Sequence, residues 1–410
     1  EHYKAKLASF PNVKGEVDEL LQAMPSADDE PDFTRAEVLN AILKLKGGKA
    51  TGLTHVSQEL IHAIVQCEEG ISFMLGLLNS MLRSPQWLPS SLFKGWVLLI
   101  PKSVSVTVAD YRPIVLSETL VKLLARLCTL RIMKAYPEPR CGIGGFPGRQ
   151  TAEALFSMKT MLAHSYGLRD AAVFLKLDVA GAFDSLLIQR VVQLFVRRYT
   201  STAAKSIRVL CWVLVQQTLV FTALDEQWVL DMTRGVIQGG THSPTLFSFI
   251  VSQTFDELCD RWHAEQHEIA AYYTGSGFPV WGLWFVDDAF TVFRNAVQLA
   301  RLFPQLLSTL QWLGLRINFK KCAILSANLV HSRPPELSEV MQVQSTVYLG
   351  AKIALTDNDE GLVEGLCTRA LRAWMANRLL LASRTGTRVQ KLKLFGALVT
   401  ASIRWLMGCI

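Results

Sequence analysis

Two apolar segments, which lie far apart in the chain, each lead into aspartates. Residues 173–177 form a candidate buried strand that ends at Asp178, and the pair Asp287-Asp288 interrupts a second apolar stretch over residues 280–293. Short apolar runs rich in β-branched and aromatic residues favour strands, so the second stretch is predicted to be a hairpin over 280–285 and 289–293. Adjacent carboxylates in a tight apolar hairpin are costly, because like charges about 4 Å apart repel by roughly 4 kcal/mol at an effective dielectric near 20.

Bound metal ions would offset this repulsion if Asp178 packs beside Asp287. Two Mg²⁺ ions about 3.5–4 Å apart can activate an attacking hydroxyl group and hold a leaving pyrophosphate. Mg²⁺ is typically held by one or two carboxylates together with substrate phosphates and water, and Mn²⁺ accepts the same oxygen ligands. A solvated turn is the alternative interpretation of the aspartate pair, so a metal site needs support from the other motifs.

The composition is that of a folded protein with a moderately basic surface. Half of the 410 residues are apolar, which excludes global disorder, and the length suits two or three subdomains. Lys and Arg exceed Asp and Glu by 42 − 35 = 7. Such a surface is compatible with nucleic acid as a partner, although many ordinary soluble proteins have the same balance.

The eight cysteines form no Cys-x-x-Cys pair, so the sequence predicts no zinc framework and favours an intracellular, reducing compartment. No signal peptide is recognised, and no membrane association is expected. The most apolar run, residues 209–224, is interrupted by Gln216 and Gln217 and is short for a bilayer span; it is predicted to be a helix end followed by a strand. Because the chain starts at Glu1 without a Met, we expect it to be part of a larger protein.

The predicted elements are helices mixed with short strands. Thr34 and Glu37 have capping-box spacing before an apolar helical repeat, whereas the polar residues 1–33 are predicted to be a leader or linker. Further helices are predicted over residues 57–66, 71–83, 117–134, 151–164, 243–262 and 297–313, and from residue 186. Strands are predicted over residues 96–100, 173–177 and 347–353, with an additional hairpin over 218–224 and 227–232. The fold class is therefore α+β, a small antiparallel sheet with helices at one face.

Nine short motifs occur in a fixed order from about Gly48 to Gly350. In chain order they are Gly48-Lys49-Ala50-x-Gly52, Ile100-Pro101-Lys102, Tyr111-Arg112-Pro113-Ile114, Gly145-Phe146-Pro147-Gly148-Arg149-Gln150-Thr151, Asp178-x-x-x-Ala182-Phe183-Asp184, Gly235-Val236-Ile237-Gln238-Gly239 with Ser243-Pro244, Phe285-Val286-Asp287-Asp288, Gly314-Leu315-x-Ile317-Asn318-x-x-Lys321 and Tyr348-Leu349-Gly350. Together they resemble the motifs of reverse transcriptases, most of all those of non-LTR (LINE-type) retrotransposons.

This resemblance implies a right-hand polymerase fold and an RNA-directed DNA polymerase activity. The fingers would occupy residues 34–172, the palm residues 173–355 with a fingers insertion at about 190–232, and a partial helical thumb residues 356–410. The implied partners are an RNA template, a DNA primer and deoxynucleoside triphosphates, and the implied cofactor is a pair of Mg²⁺ ions. No endonuclease, RNase H or zinc-knuckle pattern is recognised in the chain.

The resemblance also assigns roles at the acidic cluster. Asp178 and Asp287 would bind both metal ions, with Asp288 as a weaker or outer ligand. The backbone carbonyl of Val179 would complete one coordination shell. Lys321 would protonate or steady the departing pyrophosphate, with a solvated lysine as the alternative.

A second group of residues would receive the incoming nucleotide. Phe183 corresponds to the bulky residue that excludes a ribose 2′-hydroxyl in this family, with a core aromatic as the alternative. Asp184 is a candidate cap for the next helix. Gln238 would contact the nucleotide, and Gly239 would allow close approach of the backbone.

Basic residues and one turn would handle phosphates, template and primer. Arg112 and Lys102 would reach the triphosphate, for which a guanidinium is well suited; surface solvation is the alternative for both. Lys49 and Arg149 are candidate template contacts, and Tyr348-Leu349-Gly350 is the candidate primer grip. The predicted thumb helices carry basic residues that would line the product duplex or form a solvated face: Arg369, Arg372, Arg378, Arg384, Arg388, Lys391 and Lys393.

Three other interpretations stay open. An RNA-dependent RNA polymerase shares the palm and metals but usually has Gly before its aspartate pair and lacks the aromatic at Phe183. A catalytically decayed copy would survive as an RNA-binding scaffold. A metal-dependent nuclease would not need the Gln238-Gly239 turn. In this chain Phe285 replaces the Tyr that usually precedes the aspartates, a change that removes no ligand.

Overall fold

A computed structural model describes residues 2–8, 13–24, 29–101, 107–198, 201–223, 226–266, 270, 272–273, 277, 279–328, 330–331, 333–355, 360–383 and 387–404. The α-helices are α1 (His2–Leu7), α2 (Val13–Gln22), α3 (Arg35–Leu43), α4 (Gln58–Ile64), α5 (Glu68–Arg83), α6 (Thr119–Ala135), α7 (Thr151–Leu168), α8 (Ala182–Ser185), α9 (Ile188–Arg197), α10 (Ala204–Val215), α11 (Ser243–Gln266), α12 (Ala296–Trp312), α13 (Glu360–Ala382), α14 (Arg388–Phe395) and α15 (Ala401–Arg404). The strands are β1 (Lys94–Pro101), β2 (Tyr111–Leu116), β3 (Val173–Ala180), β4 (Thr218–Ala223), β5 (Glu226–Asp231), β6 (Tyr272–Tyr273), β7 (Pro279–Val280), β8 (Gly282–Phe285), β9 (Asp288–Phe293), β10 (Arg316–Ile317), β11 (Ala323–Leu325), β12 (Ser345–Tyr348) and β13 (Ala351–Ala354).

The chain forms two compact units that are each built from several segments. Unit 1 comprises Glu1–Pro139, Ala180–Val251 and Leu310–Arg316. Unit 2 comprises Arg140–Val179, Ser252–Thr309 and Ile317–Ile410. Helices predominate and strands form small sheets, so the predicted α+β class is confirmed. The proposed bounds of fingers, palm and thumb stay a prediction.

Unit 1 contains a four-stranded sheet in the order β2-β1-β4-β5. β1 runs antiparallel to β2 and parallel to β4, and β4 and β5 form the predicted antiparallel hairpin. The predicted change from helix to strand within residues 209–224 is also confirmed, because α10 ends at Val215 and β4 begins at Thr218. A buried apolar cluster that includes side chains of this sheet contains Tyr3, Leu7, Val97, Val115, Leu219, Met232 and Ile237.

The N-terminal segment differs from the predicted leader or linker. α1 and α2 lie within residues 1–33, and both helices bury apolar side chains, which in α1 are Tyr3 and Leu7. Those of α2 recur every fourth residue at Val13, Val17 and Leu21, which places them on one face of a helix. The polar composition of the segment obscured this short amphipathic repeat.

Unit 2 contains a five-stranded sheet in the order β10-β3-β9-β8, with β11 paired to the other part of β3. The β3–β9, β8–β9 and β3–β11 pairs are antiparallel, which confirms the predicted acidic hairpin of β8 and β9. Phe174, Phe290, Tyr348 and Ile353 are among the buried side chains of its core. This core fixes the strands whose ends carry the aspartates.

Two local predictions were wrong in detail. The strand predicted over residues 347–353 is instead the antiparallel hairpin β12–β13, because Leu349 (φ 47°) and Gly350 (φ 78°) turn the chain. The helix predicted from residue 186 begins at Ile188 and follows the separate short helix α8. The capping box at α3 is confirmed, since the Thr34 side chain accepts a bond from the Glu37 amide at 3.2 Å.

The described cysteines are all free thiols. In the part of the chain that the structure describes, no single helix is long and apolar enough to cross a membrane. The consecutive helices α4 and α5 together meet a span's length and composition, but they are bent by 120°.

Candidate active site

Asp178, Asp287 and Asp288 lie together at one end of the unit 2 sheet. Asp178 on β3 is directly opposite Asp288 on β9. Phe285 on β8 is also opposite Asp288, which leaves Val286 and Asp287 as the two-residue turn of the β8–β9 hairpin. Opposite residues of an antiparallel pair have Cβ atoms about 4.5–5.5 Å apart. The strand register therefore brings two carboxylates together, and the third follows in the adjoining turn.

The turn that carries Asp287 has a strained backbone. Val286 has a φ of 59°, a left-handed conformation that a β-branched residue rarely adopts and that costs about 1–3 kcal/mol. The hairpin is bonded to the segment that contains Ile143 and Gly144, because the Ile143 amide donates to the Trp284 carbonyl at 2.8 Å. A Cβ atom at Gly144 would lie 2.7 Å from the Phe285 Cα, so only glycine permits this approach. These contacts hold the strained turn in place.

The three carboxylates repel one another, and nearby lysines offset this only in part. Burial, followed by the negative charge of Asp287 and to a smaller extent that of Asp178, raises the pKa of Asp288, whereas Lys176 and Lys321 lower it. Lys321 Nζ lies 3.8 Å from Asp178 Oδ2, but the lysine side chain is 67% exposed. An exposed pair of this kind contributes little, so Lys321 offsets little of the repulsion.

The donor set at this cluster fits a hard divalent cation. Among the described residues, no group of three or more His, Cys, Asp and Glu side chains is arranged to hold a metal ion by itself. Mg²⁺ commonly uses one or two carboxylates and takes its other ligands from phosphates and water. The Val179 side chain is aliphatic and buried, so the main-chain carbonyl is the group that this residue could offer to a metal ion. The Asn318 amide donates to the Asp178 carbonyl at 2.8 Å and fixes this end of β3.

The β12–β13 hairpin, predicted to grip the primer, is attached to the same sheet. Lys176 Nζ on β3 donates to the Val347 carbonyl at 2.6 Å. Tyr348 is fully buried, and its ring meets the Phe290 ring edge-on with centroids 4.9 Å apart. Burial, and secondly the charge of Asp288, raises the pKa of Tyr348. Its side chain is thus part of the core, whereas primer contact by the Leu349-Gly350 turn stays a prediction.

In unit 1, Phe183 and Asp184 lie in α8, which is bonded to the Gly235–Gly239 segment. The Val236 amide donates to the Phe183 carbonyl at 2.7 Å, and Gln238 Nε2 donates to Asp184 Oδ1 at 2.7 Å. The second carboxylate oxygen accepts from Lys6 Nζ at 2.5 Å. Asp184 is buried inside α8 with both oxygens engaged, so the prediction that it caps the next helix was wrong.

The Phe183 ring is half-buried and stacks on the Phe247 ring of α11, with centroids 5.0 Å apart and planes inclined by 28°. The stack holds the ring from one side. Phe183 is therefore partly a core aromatic, as the alternative interpretation has it, but it retains an accessible surface.

The Gln238-Gly239 turn lies against β2. The Val115 amide donates to the Gln238 carbonyl at 2.6 Å. Gly239 has a φ of 111°, and a Cβ atom there would lie 2.8 Å from the Val115 carbonyl oxygen, so the close approach requires glycine. Arg112 lies on the same strand, is exposed, and is opposite Ile100 of β1. β2 thus connects the arginine to the turn.

The remaining predicted binding residues have different surroundings. Lys102 lies outside the described residues. Lys49 is exposed in the segment between α3 and α4. Arg149 precedes α7, is exposed, and pairs with Glu153 at 3.4 Å.

The basic residues of the C-terminal helices divide into two groups. Arg369 donates to the Gly350 carbonyl and Lys391 to the Ser383 carbonyl, so both have structural contacts. Arg384 lies outside the described residues. The exposed basic side chains are Arg372, Arg378, Arg388 and Lys393.

Lys6 and Tyr3 contact the site region in unit 1, and neither was predicted from the sequence. Lys6 and Asp184 are 178 positions apart, so no local motif links them. The only sequence signal is the spacing of Tyr3 and Leu7, which places two apolar side chains on one face of a helical turn.

The sequence matches a known protein family. A family model described as reverse transcriptase (RNA-dependent DNA polymerase) matches residues 100–353, more than half of the chain. No curated protein sequence matches the chain.

Several solved telomerase structures resemble this chain at low sequence identity. Apo telomerase from Candida tropicalis has a TM-score of 0.49 and 14% identity, over 77% of this chain and 57% of that chain. Telomerase from Candida albicans in complex with the TWJ fragment of telomeric RNA has a TM-score of 0.41 and 14% identity, over 78% and 55%. The corresponding Candida tropicalis complex has a TM-score of 0.46 and 12% identity, over 86% and 62%. The chain therefore spans less than two thirds of each of these solved chains.

Proposed function

The chain belongs to the reverse transcriptase family, and on that premise we propose that it is an RNA-directed DNA polymerase that extends a primer with deoxynucleoside triphosphates. The right-hand polymerase fold expected from the sequence is that of the family. The catalytic activity, the metal requirement and the identity of primer and template are parts of the proposal.

The observation that carries this proposal is the position of Asp178 opposite Asp288, with Asp287 in the adjoining turn. Nucleotidyl transfer needs hard oxygen ligands at one point, and this register supplies three carboxylates there. Asp288 is the partly buried member whose pKa burial raises, whereas Asp287 is exposed and more accessible to a cation.

Asp178 and Asp287 would hold two Mg²⁺ ions, or Mn²⁺ in their place, with Asp288 and the Val179 carbonyl as outer or additional ligands. Such ions, when bound, activate the primer 3′-hydroxyl and stabilise the leaving pyrophosphate. The strained turn at Val286 contributes by presenting the Asp287 carboxylate in a fixed position. Lys321, which is exposed and 3.8 Å from Asp178, would donate a proton or a hydrogen bond to a departing phosphate.

The unit 1 residues would bind and select the nucleotide. Phe183 would exclude a ribose 2′-hydroxyl with the ring surface that Phe247 leaves accessible. Gln238 donates one N–H of its Nε2 to Asp184, so its Oε1 and its second N–H would be the groups that contact the nucleotide. Gly239 would admit the nucleotide near the backbone, and the exposed Arg112 would bind triphosphate oxygens.

Template and primer would be bound by exposed basic side chains and by the β12–β13 turn. Lys49 and Arg149 are accessible for template phosphates, with Lys102 as a further triphosphate contact proposed on sequence grounds. The Leu349-Gly350 turn would support the primer strand through its backbone. The motif set from Gly48 to Gly350 further supports an origin in a non-LTR retroelement.

The test is primer extension by the purified protein on an RNA template, with deoxynucleotides and ribonucleotides offered separately in Mg²⁺ or Mn²⁺. We expect extension when deoxynucleotides are supplied and none when ribonucleotides are supplied. Extension with ribonucleotides only would identify an RNA-dependent RNA polymerase. Tight RNA binding without extension in either metal would instead favour the decayed scaffold.

A further inference from the structure

The short helix α1 contacts three segments of unit 1 that carry proposed nucleotide-binding residues. Lys6 bonds to Asp184, next to Phe183. The Tyr3 hydroxyl donates to the Tyr111 carbonyl at 3.2 Å, next to Arg112. The α1 residues precede the part of the chain that matches the family model, which begins at residue 100.

The contact between Lys6 and Asp184 is the most consequential of these. The Asp184 side chain is only 5% exposed, whereas Lys6 is 29% exposed. A buried carboxylate needs a compensating charge and hydrogen bonds, because removing one partner of such a pair leaves an uncompensated charge. Arg234 is also near Asp184, although burial and the charge of Arg316 lower the pKa of this arginine overall, and its guanidinium donates to the Ser185 carbonyl at 2.9 Å. Lys6 is bonded directly to the carboxylate.

Asp184 in turn fixes the side chain of Gln238. Oδ1 accepts from Gln238 Nε2 at 2.7 Å while Oδ2 accepts from Lys6. A carboxylate held at one oxygen by an ammonium group presents the other oxygen in a defined direction. The chain Lys6–Asp184–Gln238 therefore sets the rotamer of the glutamine, and through the α8 backbone it also constrains Phe183.

Apolar and backbone contacts also anchor α1. Tyr3 stacks on Phe221 with ring centroids 5.5 Å apart, and Tyr3 and Leu7 are both buried. The Leu7 carbonyl accepts from the Thr233 amide at 2.9 Å, two residues before the Gly235–Gly239 segment. These contacts anchor α1, so the Lys6 ammonium is presented from a fixed support.

We propose that Lys6 is a positioning residue for nucleotide selection, which holds Asp184 and thereby orients the Gln238 amide and the Phe183 ring. This inference rests on the proposed polymerase function. It extends the nucleotide-binding site to a helix that lies outside the region matched by the family.

The test compares Lys6→Met with Lys4→Met, a matched loss of charge from an exposed position on the same helix. Lys6→Met should raise KM for dGTP about tenfold and reduce the preference for dGTP over GTP, as the removal of a nucleotide-positioning interaction would. Lys4→Met should match wild type. Lys6→Arg should retain most of the wild-type KM for dGTP and most of the preference for dGTP over GTP. In the Lys6→Met/Asp184→Asn double variant the two losses should be less than additive, because they act on one interaction.

A second measurement does not depend on activity. The amides of Asp184 and Val236 donate to the Gly181 and Phe183 carbonyls, and their hydrogen exchange should be faster in Lys6→Met than in Lys4→Met. Equal exchange rates in the two variants would show that Lys6 does not hold α8 and the Gly235–Gly239 segment in place, and would overturn the proposal. Faster exchange with an unchanged KM and dGTP preference would make Lys6 a stabilising residue only and would also overturn the proposal. If wild type extends no primer, the polymerase function is wrong, and the exchange comparison still decides whether Lys6 holds this turn.

Discussion

Asp178 on β3 and Asp288 on β9 are direct partners in an antiparallel strand pair, and Asp287 follows in the turn beside them. Three carboxylates are thus gathered by backbone hydrogen bonding rather than by flexible loops. The turn at Val286 has a left-handed backbone conformation. Its strain is offset by the packing of the hairpin on the segment that contains Ile143 and Gly144.

Replacement of Asp287 by Asn should abolish primer extension while binding of the primer–template duplex stays nearly unchanged. Loss of a metal ligand removes several kcal/mol of transition-state stabilisation, which corresponds to at least about a hundredfold in rate. The measurements are single-turnover extension and duplex Kd. Asp260→Asn, at an exposed ion pair with Arg140, is the matched control. Extension by Asp287→Asn within about threefold of the control would show that this cluster is not the active site.

Replacement of Phe183 by Ala should raise the use of ribonucleotides much more than it lowers the use of deoxynucleotides. Overpacking in a closed pocket costs about 1–3 kcal/mol, or roughly tenfold to over a hundredfold in rate. The measurement is kcat/KM for a dNTP and the matching rNTP on one RNA template. Phe156→Ala, at an exposed aromatic of unit 2, is the control. An unmoved ratio would mean that Phe183 is only the stacking partner of Phe247.

Removal of Arg372, Arg378 and Arg388 together should flatten the salt dependence of duplex affinity. The slope of log K against log salt is negative, and its magnitude should decrease by about 0.9 for every phosphate that is no longer neutralised. These side chains are exposed, whereas Arg369 is bonded to the Gly350 carbonyl, so Arg369→Ala should act on the β12–β13 turn instead. Lys14→Ala, at an exposed lysine of α2, controls for net charge. A slope equal to that of wild type would make the helices a solvated face.

Replacement of Asp288 by Asn should stabilise the metal-free protein at pH 7. The pKa of Asp288 is raised in the folded state, chiefly by burial. The folded protein therefore binds this proton more tightly than the unfolded chain, and the associated stability is lost as pH rises through the raised pKa. In EDTA at pH 7, the Tm of Asp288→Asn should be about 2 °C higher than that of wild type. This gain in Tm should shrink as the pH is lowered towards 3.8, the ordinary pKa of an aspartate. A constant difference across this pH range would contradict the linkage.

Replacement of Tyr348 by Phe should leave stability unchanged or improve it. The Tyr348 hydroxyl is buried and has no hydrogen-bond partner among the described residues, and such a group costs about 1–3 kcal/mol. Tyr348→Ala should destabilise by about 3–5 kcal/mol, because it opens a cavity against Phe290. Urea denaturation and primer Kd distinguish the two roles. A large loss of primer affinity in Tyr348→Phe, without loss of stability, would show that the hydroxyl contacts the primer.

Much of the fold and of the acidic cluster follows from local sequence. A capping box, a helix end and an alternating strand are made by neighbouring residues, so the α3 cap and the β8–β9 hairpin are predictable from spacing alone. The ordered motifs also predicted the reverse transcriptase family, which the match over residues 100–353 confirms. These features depend on residue type and short separations, which the linear chain records directly.

Other features were decided by tertiary packing. Lys6 meets Asp184 across 178 positions, and Tyr348 is buried because β12 packs against the Phe290 side of the sheet. The residue types do not indicate either contact, since a lysine in a polar segment and a tyrosine in a turn motif are usually accessible. What the sequence determined by itself is which side chains are available for chemistry and which local elements carry them. Which of those side chains are free for substrate depends on contacts between distant segments, because burial and hydrogen bonding are properties of the packed chain.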